Sequence, residues 1–435
     1  MAVKTIINRL LFTSFIFLNG IQCFAGAPLM ANNHEAINPS EISQLQSWQH
    51  YVDAIRPLGD RVLAKVPERL RDDPVIQQQI YRLLLAASAR TINDALVGDR
   101  QYPMFVPELN IAYNIYQPNA DTVYKTAMIE AGGSYQLTGR RGTILFAKLS
   151  QLGPDMLRTG QGAPPIAYYD FDQLTLDAEG RYRLLISPER PADYQGDWWQ
   201  LNERAEKLML RQISYDWPNE EDTSIAIERL DTPAARLAQT AQQMSDRLAE
   251  LASMIDNGAS FFVDHVEALR NEGYLNKLKV FDVSNMSGLE NQSYYEGAYE
   301  IDEDEALIVE VEIPKQCRYW SLILTNEVYQ TTDWYNNHSS INGSQGVIDS
   351  DGYFRAVISA KDPGVVNWLD TAGFNAGAIQ GRWLECSGTP LPKVTVVAFS
   401  EVMAHLPDNT ATISLAERES VIRARRAALQ LRRLW

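Results

Sequence analysis

Residues 306–326 read ALIVEVEIPKQCRYWSLILTN and form two extended runs across a polar turn. Both runs are rich in β-branched and aromatic residues, and Pro314 begins the turn. This composition predicts two β-strands. Residues 133–149 have a similar arrangement. An internal duplication would explain the similarity, but the similarity alone does not establish one.

Short runs of the same kind occur on both sides of this stretch. The predicted strands are residues 124–129, 134–137, 143–149, 182–187, 208–216, 306–313, 318–326, 353–359, 381–385 and 394–399. Helical spacing of apolar residues predicts helices at 41–65, 74–97, 232–258, 261–271 and 415–435. Because the strands are short, rich in flanking turns and do not alternate with helices, the predicted fold class is mainly β with helical insertions (α+β). We expect two antiparallel modules of the β-sandwich or jelly-roll type.

The chain of 435 residues exceeds one typical hydrophobic core, and its elements divide it into six parts. The predicted parts are a signal peptide at 1–25, a helical segment at 26–100, a first β-rich module at 101–230, a helical connector at 231–275, a second β-rich module at 276–405 and a C-terminal helix at 406–435.

The first 25 residues have the composition of an export signal. Lys4 and Arg9 precede an apolar stretch at 10–18, and Cys23-Phe24-Ala25 offers small residues before Gly26. The apolar stretch is shorter than the ~20 residues of a membrane span. We therefore predict cleavage before Gly26, a periplasmic or secreted protein, and no integral membrane segment in the mature chain.

Charge and cysteine content narrow the range of partners. The formal net charge of −16 disfavours non-specific binding to nucleic acid or anionic lipid. After cleavage Cys317 and Cys386 remain, both in strand-like segments. In an oxidising compartment they form either one disulfide or two buried thiols. No CxxC motif or nearby histidine suggests that they bind a metal.

Common catalytic and cofactor signatures are missing from the sequence. It contains no HExxH, and its five histidines are scattered. Residues 342–346 lack the first glycine of a nucleophile elbow, and the Gly160-Gln161-Gly162 loop follows no βαβ unit. We predict neither a cofactor nor a metal.

The segment that leads into the strand at 124–129 contains the first group of candidate site residues. Asn119, Asp121 and Tyr124 follow Pro118 within seven residues. Asn119 and Tyr124 are candidate ligand-binding residues, and Asp121 is a candidate acid or base. Asn and Asp side chains also commonly cap their own turns, which is the structural alternative.

Arg211 lies in the predicted strand 208–216 and is the second candidate. On a strand it shares one face with Ile213 and Tyr215. Arg211 is suited to holding a carboxylate or phosphate through two hydrogen bonds. An ion pair that fixes the strand to a neighbouring loop is the alternative, and we favour the ion pair.

Aromatic and amide side chains on turns of the second module form the third group. A ring face beside a hydrogen-bonding edge suits a sugar or an aryl–alkyl ligand. The candidate ligand-binding residues are Asn326, Tyr329, Trp334, Tyr335, Asn367, Trp368 and Arg382. We expect Trp334 and Tyr335 to meet solvent or ligand, and Trp368 to lie in the core. Asp333, His338 and Asp370 are the candidate general bases.

The predicted C-terminal helix is rich in arginine. Its arginines are Arg418, Arg423, Arg425, Arg426, Arg432 and Arg433. They suggest either an anionic partner or a solvated structural helix that packs on the acidic surface of its own chain. We favour the structural helix.

Several of these motifs together resemble a known family. Residues 317–322, Ser350-Asp351-Gly352, residues 362–373 and Arg382-Trp383 resemble the domain of unknown function 1214 (DUF1214). Residues 119–124 resemble the companion domain of unknown function 1254 (DUF1254). The resemblance implies an exported bacterial protein with a β-sandwich or jelly-roll fold, and no established reaction. Many relatives have a histidine after Ala-Gly, where this chain has Phe374.

These observations lead to three hypotheses about function. The leading one is an exported protein that binds a small amphipathic ligand, aryl–alkyl or carbohydrate-like, in a cleft of the second β-module. The alternative is a carboxylate-dependent hydrolase or lyase that acts on glycans or small esters through Asp121, Asp333 or Asp370. The third is a scaffold that binds an envelope protein. The sequence leaves open whether a reaction is catalysed and whether the chain forms a homo-oligomer.

Overall fold

The computed structural model describes residues 45–283, 286 and 288–434. The predicted signal peptide and the start of the first predicted helix lie outside these residues. The chain from Gln46 onward forms one compact unit. Within the described part, no helix is both long enough and apolar enough to cross a bilayer.

Eighteen strands are found in the described residues, and they fall into two groups of nine. In the first module they are β1 (Val106–Pro107), β2 (Thr122–Met128), β3 (Tyr135–Arg140), β4 (Phe146–Leu152), β5 (Ala167–Asp170), β6 (Arg181–Ser187), β7 (Asp197–Gln200), β8 (Lys207–Ile213) and β9 (Ser224–Arg229). In the second module they are β10 (Lys279–Phe281), β11 (Gln292–Glu300), β12 (Glu305–Glu312), β13 (Cys317–Leu324), β14 (Ser340–Asn342), β15 (Tyr353–Ser359), β16 (Trp368–Asp370), β17 (Ala376–Cys386) and β18 (Lys393–Ala398). The predicted fold class, mainly β with helical insertions, is confirmed.

The two modules have the same topology, strand for strand. The sheets of the first module have the orders β1-β2-β8-β4-β5 and β7-β6-β3-β9. Adding nine to each number gives the two sheets of the second module, β10-β11-β17-β13-β14 and β16-β15-β12-β18. Even the parallel pair β6–β7 has its counterpart in β15–β16. Residues 133–149 and 306–326 contain equivalent strands, β3–β4 and β12–β13, so the similarity in sequence reflects a repeat in structure.

Each module is a sandwich of a five-stranded and a four-stranded sheet. Tyr135, Leu184 and Leu210 belong to the core of the first sandwich, and Trp320 and Trp383 to the core of the second. The turns after β3 and β12 carry the chain from one sheet to the other. The strands β3 and β4, like β12 and β13, therefore lie on opposite sides of a core and are not hydrogen-bonded to each other.

The outer faces of the two five-stranded sheets meet each other. Phe146 and Ile213 of the first module pack with Tyr319 and Leu384 of the second. Near this contact, Cys317 lies directly opposite Cys386 on β13 and β17, and the two form a disulfide.

The helices lie outside the sandwiches. They are α1 (Trp48–Ile55), α2 (Leu58–Leu63), α3 (Glu68–Arg71), α4 (Pro74–Val97), α5 (Met156–Thr159), α6 (Ala241–Ser260), α7 (His265–Asn271) and α8 (Leu415–Leu431). Asp73 caps α4, because its side chain accepts a hydrogen bond from the amide of Val75. The helix predicted from residue 232 begins at Ala241, because Thr240 and Gln243 form a reciprocal capping box there.

The C-terminal helix α8 joins the two modules through buried arginines seven residues apart. At its start Arg418 pairs with Asp362 of the second module at 2.9 Å. Just after its end Arg432 pairs with Asp222 of the first module at 2.7 Å. Arg418, Arg425 and Arg432 are all buried. The helix is structural, as favoured, but the expectation of a solvated arginine stripe was wrong for these three residues.

Candidate functional site

A cavity of about 150 Å³ lies between the two five-stranded sheets. Its walls come from alternate residues of β2 and β8 in the first module and of β11 and β17 in the second. Side chains alternate between the faces of a strand, so these residues point away from the sandwich cores. The cavity therefore belongs to the interface between the modules.

Two tyrosine–arginine pairs stand at equivalent positions of the two walls. Tyr124 on β2 lies directly opposite Arg211 on β8. Tyr294 on β11 lies directly opposite Arg382 on β17. All four side chains line the cavity.

Arg382 is a buried cation, with only 3% of its surface exposed. Its Nη2 donates to Gln380 Oε1 at 2.6 Å, and its guanidinium lies 4.8 Å from the centroid of the Tyr294 ring. Among the described residues, no carboxylate lies within ion-pair distance of Arg382 and its Nε has no hydrogen-bond partner. Burial acts to lower the pKa of Arg382, but Tyr294, Tyr124, Tyr319 and the Asp121 carboxylate together outweigh it and the pKa is raised.

Arg211 is buried on the opposite wall. Its Nη1 donates to Ser150 Oγ at 3.1 Å. Burial lowers the pKa of Arg211 from its ordinary value. Arginine nevertheless keeps its charge in proteins, so both walls present a guanidinium cation.

The lining carboxylates are Glu108 and Asp155, and both are neutralised. Lys207 Nζ lies 3.2 Å from Glu108 and 2.7 Å from Asp155. Arg90 forms a further buried ion pair with Glu108. Although burial raises the pKa of Asp155, Lys207 and Arg90 outweigh it and lower the pKa to about 2. The pKa of Glu108 is also lowered, because Arg90 and Lys207 outweigh its burial.

Tyr329 is held in the wall by a chain of hydrogen bonds. Its hydroxyl donates to Glu296 Oε2 at 2.7 Å and accepts from Gln380 Nε2 at 2.8 Å. The other oxygen of Glu296 contacts His265 Nε2 at 3.0 Å. Tyr329 has a positive φ of 60°. Asn326 stabilises this tight turn, since its Oδ1 accepts from the amides of residues 328 and 330.

Apolar residues form the rest of the wall. They are Leu109, Leu152, Pro154, Met156, Ala163, Pro164, Met209, Ile213, Phe262, Phe281, Val283, Met286 and Leu289. Among them Pro154 and Pro164 are exposed, and Phe281 is half-buried. The opening therefore lies on the side where the loop after β4 approaches the end of β10, and the arginines lie deeper.

One part of the second module matches a known family. Residues 298–378, from β11 into β17, match the family described as "Protein of unknown function (DUF1214)". The match is confined to this segment, which is less than a fifth of the chain. The resemblance predicted from sequence is confirmed for it, and the resemblance of residues 119–124 to DUF1254 stays a prediction. The DUF1214 segment includes Tyr329 and ends before Arg382.

Similar solved structures include proteins from two organisms. An uncharacterised protein from Burkholderia cenocepacia is 24% identical, with a TM-score of 0.75 over 82% of this chain and 97% of its own. The VPA0106 protein from Vibrio parahaemolyticus is 13% identical, with a TM-score of 0.40 over 73% of this chain and 98% of its own. The similarity to the Burkholderia cenocepacia protein shows a shared fold. The comparison with curated proteins gives no match.

Besides the candidate Arg211, the cavity brings together four of the predicted ligand-binding residues. They are Asn119, Tyr124, Tyr329 and Arg382, which come from both modules and so from both sides of the DUF1214 boundary. Asn119 donates from Nδ2 to the Tyr319 hydroxyl at 2.7 Å. Its backbone amide donates to the Tyr124 hydroxyl at 3.2 Å. Asn326 supports the wall from behind, through the turn that carries Tyr329.

Asp121 lies behind the wall and does not line the cavity. Its carboxylate accepts hydrogen bonds from Tyr319 Oη at 2.7 Å, Trp217 Nε1 at 2.8 Å and Asn342 Nδ2 at 2.9 Å. Burial raises its pKa. These partners come from both modules, so Asp121 acts as a polar joint between them.

The other candidate acids and bases lie away from the cavity. Asp333 accepts from the Tyr335 amide at 3.1 Å and Asp370 from the Ala372 amide at 2.7 Å, so each caps its own turn. His338 is buried and bonded to the Trp368 carbonyl. Burial, followed by nearby arginines, lowers the pKa of His338 to about 3.

The expected aromatic–amide surface on the second module is not assembled. Trp334 is only 3% exposed, because Ala428 and Leu429 of α8 and Trp217 pack against it. Tyr335 is half-buried beside it. The expectation that Trp334 meets solvent or ligand was therefore wrong.

Asn367 and Trp368 have structural partners. Asn367 Nδ2 donates to the carbonyls of Val347 at 2.7 Å and Arg355 at 2.9 Å, which fixes β15 beside the preceding loop. Trp368 is buried, as expected, and its Nε1 donates to the Ser359 carbonyl at 3.1 Å. Among the candidates Trp334, Asn367 and Arg382, only Arg382 lines the cavity.

Sequence reasoning missed Lys207, Glu108, Tyr294 and Gln380. The available signal was one face of a predicted strand, which carries Lys207, Met209, Arg211 and Ile213. Only Arg211 and Ile213 were recognised as sharing that face. Tyr294 could be connected with Arg382 only through the register of β11 and β17.

Proposed function

We propose that this protein binds a small organic anion with an apolar body in the cavity between its two β-modules. Arg382 holds the acidic group, and the apolar residues near the opening contact the rest of the ligand. The proposal keeps the amphipathic ligand inferred from sequence, but moves it from the second module to the interface and gives it a negative charge. We place this activity in the periplasm or outside the cell.

The buried charge of Arg382 is the observation that carries the proposal. An isolated buried cation is costly, and proteins normally pair it with a carboxylate. The lining carboxylates Glu108 and Asp155 are engaged by Lys207. An anionic ligand would therefore find at Arg382 a charge that has no carboxylate within ion-pair distance among the described residues.

Other polar atoms of the wall support ligand binding. Among the described residues, the Tyr116 hydroxyl and Gln117 Nε2 are buried without a hydrogen-bond partner, as is Arg382 Nε. Tyr116 and Gln117 also have positive φ angles of 57° and 56°. Unpartnered polar groups and backbone strain are features that folded proteins tolerate mainly at functional sites.

A glycan hydrolase is less well supported. Glycoside cleavage requires one carboxyl group with a raised pKa to act as an acid. The carboxyl groups in the lining, Glu108 and Asp155, both have lowered pKa values. Asp121 has a raised pKa but lies behind Tyr319.

The test is calorimetric titration of the full chain with a matched series of probes. The series comprises C4–C8 monocarboxylates, 4-phenylbutyrate, the alcohols of the same carbon skeletons, and C4–C8 α,ω-dicarboxylates. We expect binding of acids and not of the alcohols. Arg382→Gln should weaken that binding at least about tenfold, the size of one charge-assisted hydrogen bond.

Arg183→Gln is the matched control, because Arg183 is an exposed strand residue outside the cavity lining. It should leave the affinities unchanged. The proposal would be overturned if no acid of the series bound, if the alcohols bound as well as the acids, or if Arg382→Gln kept the wild-type affinity.

A further inference from the structure

The internal repeat relates the two tyrosine–arginine pairs of the cavity. Strand β2 corresponds to β11 and strand β8 to β17, and in each case the tyrosine on the first strand lies directly opposite the arginine on the second. Both pairs face the same cavity. The fold thus offers the same set of groups, a guanidinium and a phenol, twice at equivalent places.

The four side chains share one electrostatic environment. Tyr124 and Tyr294 are each close enough to influence both Arg211 and Arg382. Hydrogen bonds to neighbours orient the pairs. Tyr294 donates to Gln292 Oε1 at 3.1 Å, and the Tyr124 hydroxyl accepts from the Asn119 amide.

We propose that the ligand carries two carboxylate groups, one bound at the Tyr294–Arg382 pair and one at the Tyr124–Arg211 pair. This inference rests on the proposed anion-binding function and specifies its substrate class as a dicarboxylate with an apolar spacer. Guanidinium groups match carboxylates through two parallel hydrogen bonds. The lysine of the wall is unsuited to a third such group, because it already bridges Glu108 and Asp155.

A single carboxylate shared by both arginines is the competing arrangement. In that arrangement a second acidic group adds nothing to the affinity, and loss of Arg211 weakens a monocarboxylate as much as loss of Arg382 does. In the two-carboxylate arrangement the second group adds affinity, and that gain requires both arginines. The two arrangements therefore differ in how affinity depends on the number of acidic groups.

The experiment compares each C4–C8 α,ω-dicarboxylate with its monomethyl ester, which has the same chain and one charge fewer. Titrations use the full chain and the variants Arg211→Gln, Arg382→Gln and Arg183→Gln. With wild type and Arg183→Gln, we expect the best diacid to bind at least about tenfold tighter than its monoester. With Arg211→Gln or Arg382→Gln, diacid and monoester should bind within about threefold of each other.

Equal binding of diacid and monoester by wild type would overturn this inference. If the monoester still required Arg382 for binding in that case, the proposed anion-binding function would survive. If no acid of the series bound, both the anion-binding function and the two-carboxylate inference would be overturned. A diacid advantage that persisted in Arg211→Gln would also overturn the inference. Circular dichroism of each variant checks that it is folded.

Discussion

The two buried arginines Arg382 and Arg432 should differ strongly in how much stability the same substitution costs. Arg432 is paired with Asp222, whose side chain is 2% exposed. It also donates to the backbone carbonyls of Asp121 at 2.7 Å and Gln212 at 3.1 Å. Arg432→Met would leave the Asp222 carboxylate buried without its cation, and breaking such a pair costs about 3–5 kcal/mol.

Arg382→Met removes a buried cation that has no carboxylate within ion-pair distance among the described residues. The losses are one charge-assisted hydrogen bond to Gln380, about 1.5–3 kcal/mol, and the contact of the desolvated guanidinium with the Tyr294 ring, about 2 kcal/mol. The gain is relief of the desolvation cost of a buried charge, which is several kcal/mol. The losses and the gain are similar in size, so we expect the free energy of unfolding of the unliganded protein to stay within about 2 kcal/mol of wild type.

Urea unfolding without added ligand measures both changes, from the midpoint and the slope with denaturant. The expected result is a loss of about 3–5 kcal/mol for Arg432→Met and a change of less than about 2 kcal/mol for Arg382→Met, with slopes like wild type. If Arg382→Met lost more than about 2 kcal/mol, Arg382 would be a structural residue and the functional argument would fail. A harmless Arg432→Met would show that α8 does not clamp the modules as its contacts indicate.

Two further predictions concern stability. The pKa of Asp155 is lowered in the folded state to about 2, so its ion pair with Lys207 stabilises the protein above pH ~4, and this stabilisation is lost as the pH falls toward 2. Asp155→Asn should therefore be less stable than wild type at pH 6, and the difference in urea midpoint should disappear near pH 2. A difference that did not depend on pH would contradict the assignment. Gly381→Ala places a Cβ 2.0 Å from Cζ of the Tyr295 ring in the core of the second sandwich. We therefore expect urea unfolding to show a free energy of unfolding lower by about 1–3 kcal/mol. An unchanged midpoint would show that the ring can move freely.

The sequence was sufficient to predict most long strands, because the apolar runs with flanking turns coincide with β2, β6, β8, β12, β13 and β15. Short strands such as β1, β5 and β14 were missed. A run of two to four residues has too few alternations to be distinguished from a loop. The start of α6 was wrong because an alanine-rich composition extends upstream of Thr240, whereas the capping box decides where the helix begins.

The cavity could not be predicted because it depends on contacts between distant parts of the chain. Arg211 was noticed, but its partner across the cavity, Arg382, is 171 positions away, and only the repeat of topology connects them. Trp334 was misplaced for the same reason. Its segment is polar in sequence, yet α8, nearly a hundred residues later, covers it.

Features that reduce stability are concentrated at the cavity. Of the seven described non-glycine residues with positive φ, Tyr116, Gln117 and Tyr329 line it, and each such conformation costs on the order of 1 kcal/mol or more. Arg382 adds a buried charge in the same place. The three residues stand on the loops before β2 and after β13, whereas Arg382 stands on a sheet face that becomes part of a cavity only when the modules meet. A single module would expose that face to solvent and offer one tyrosine–arginine pair, so the repeat is what turns two sheet faces into a binding site.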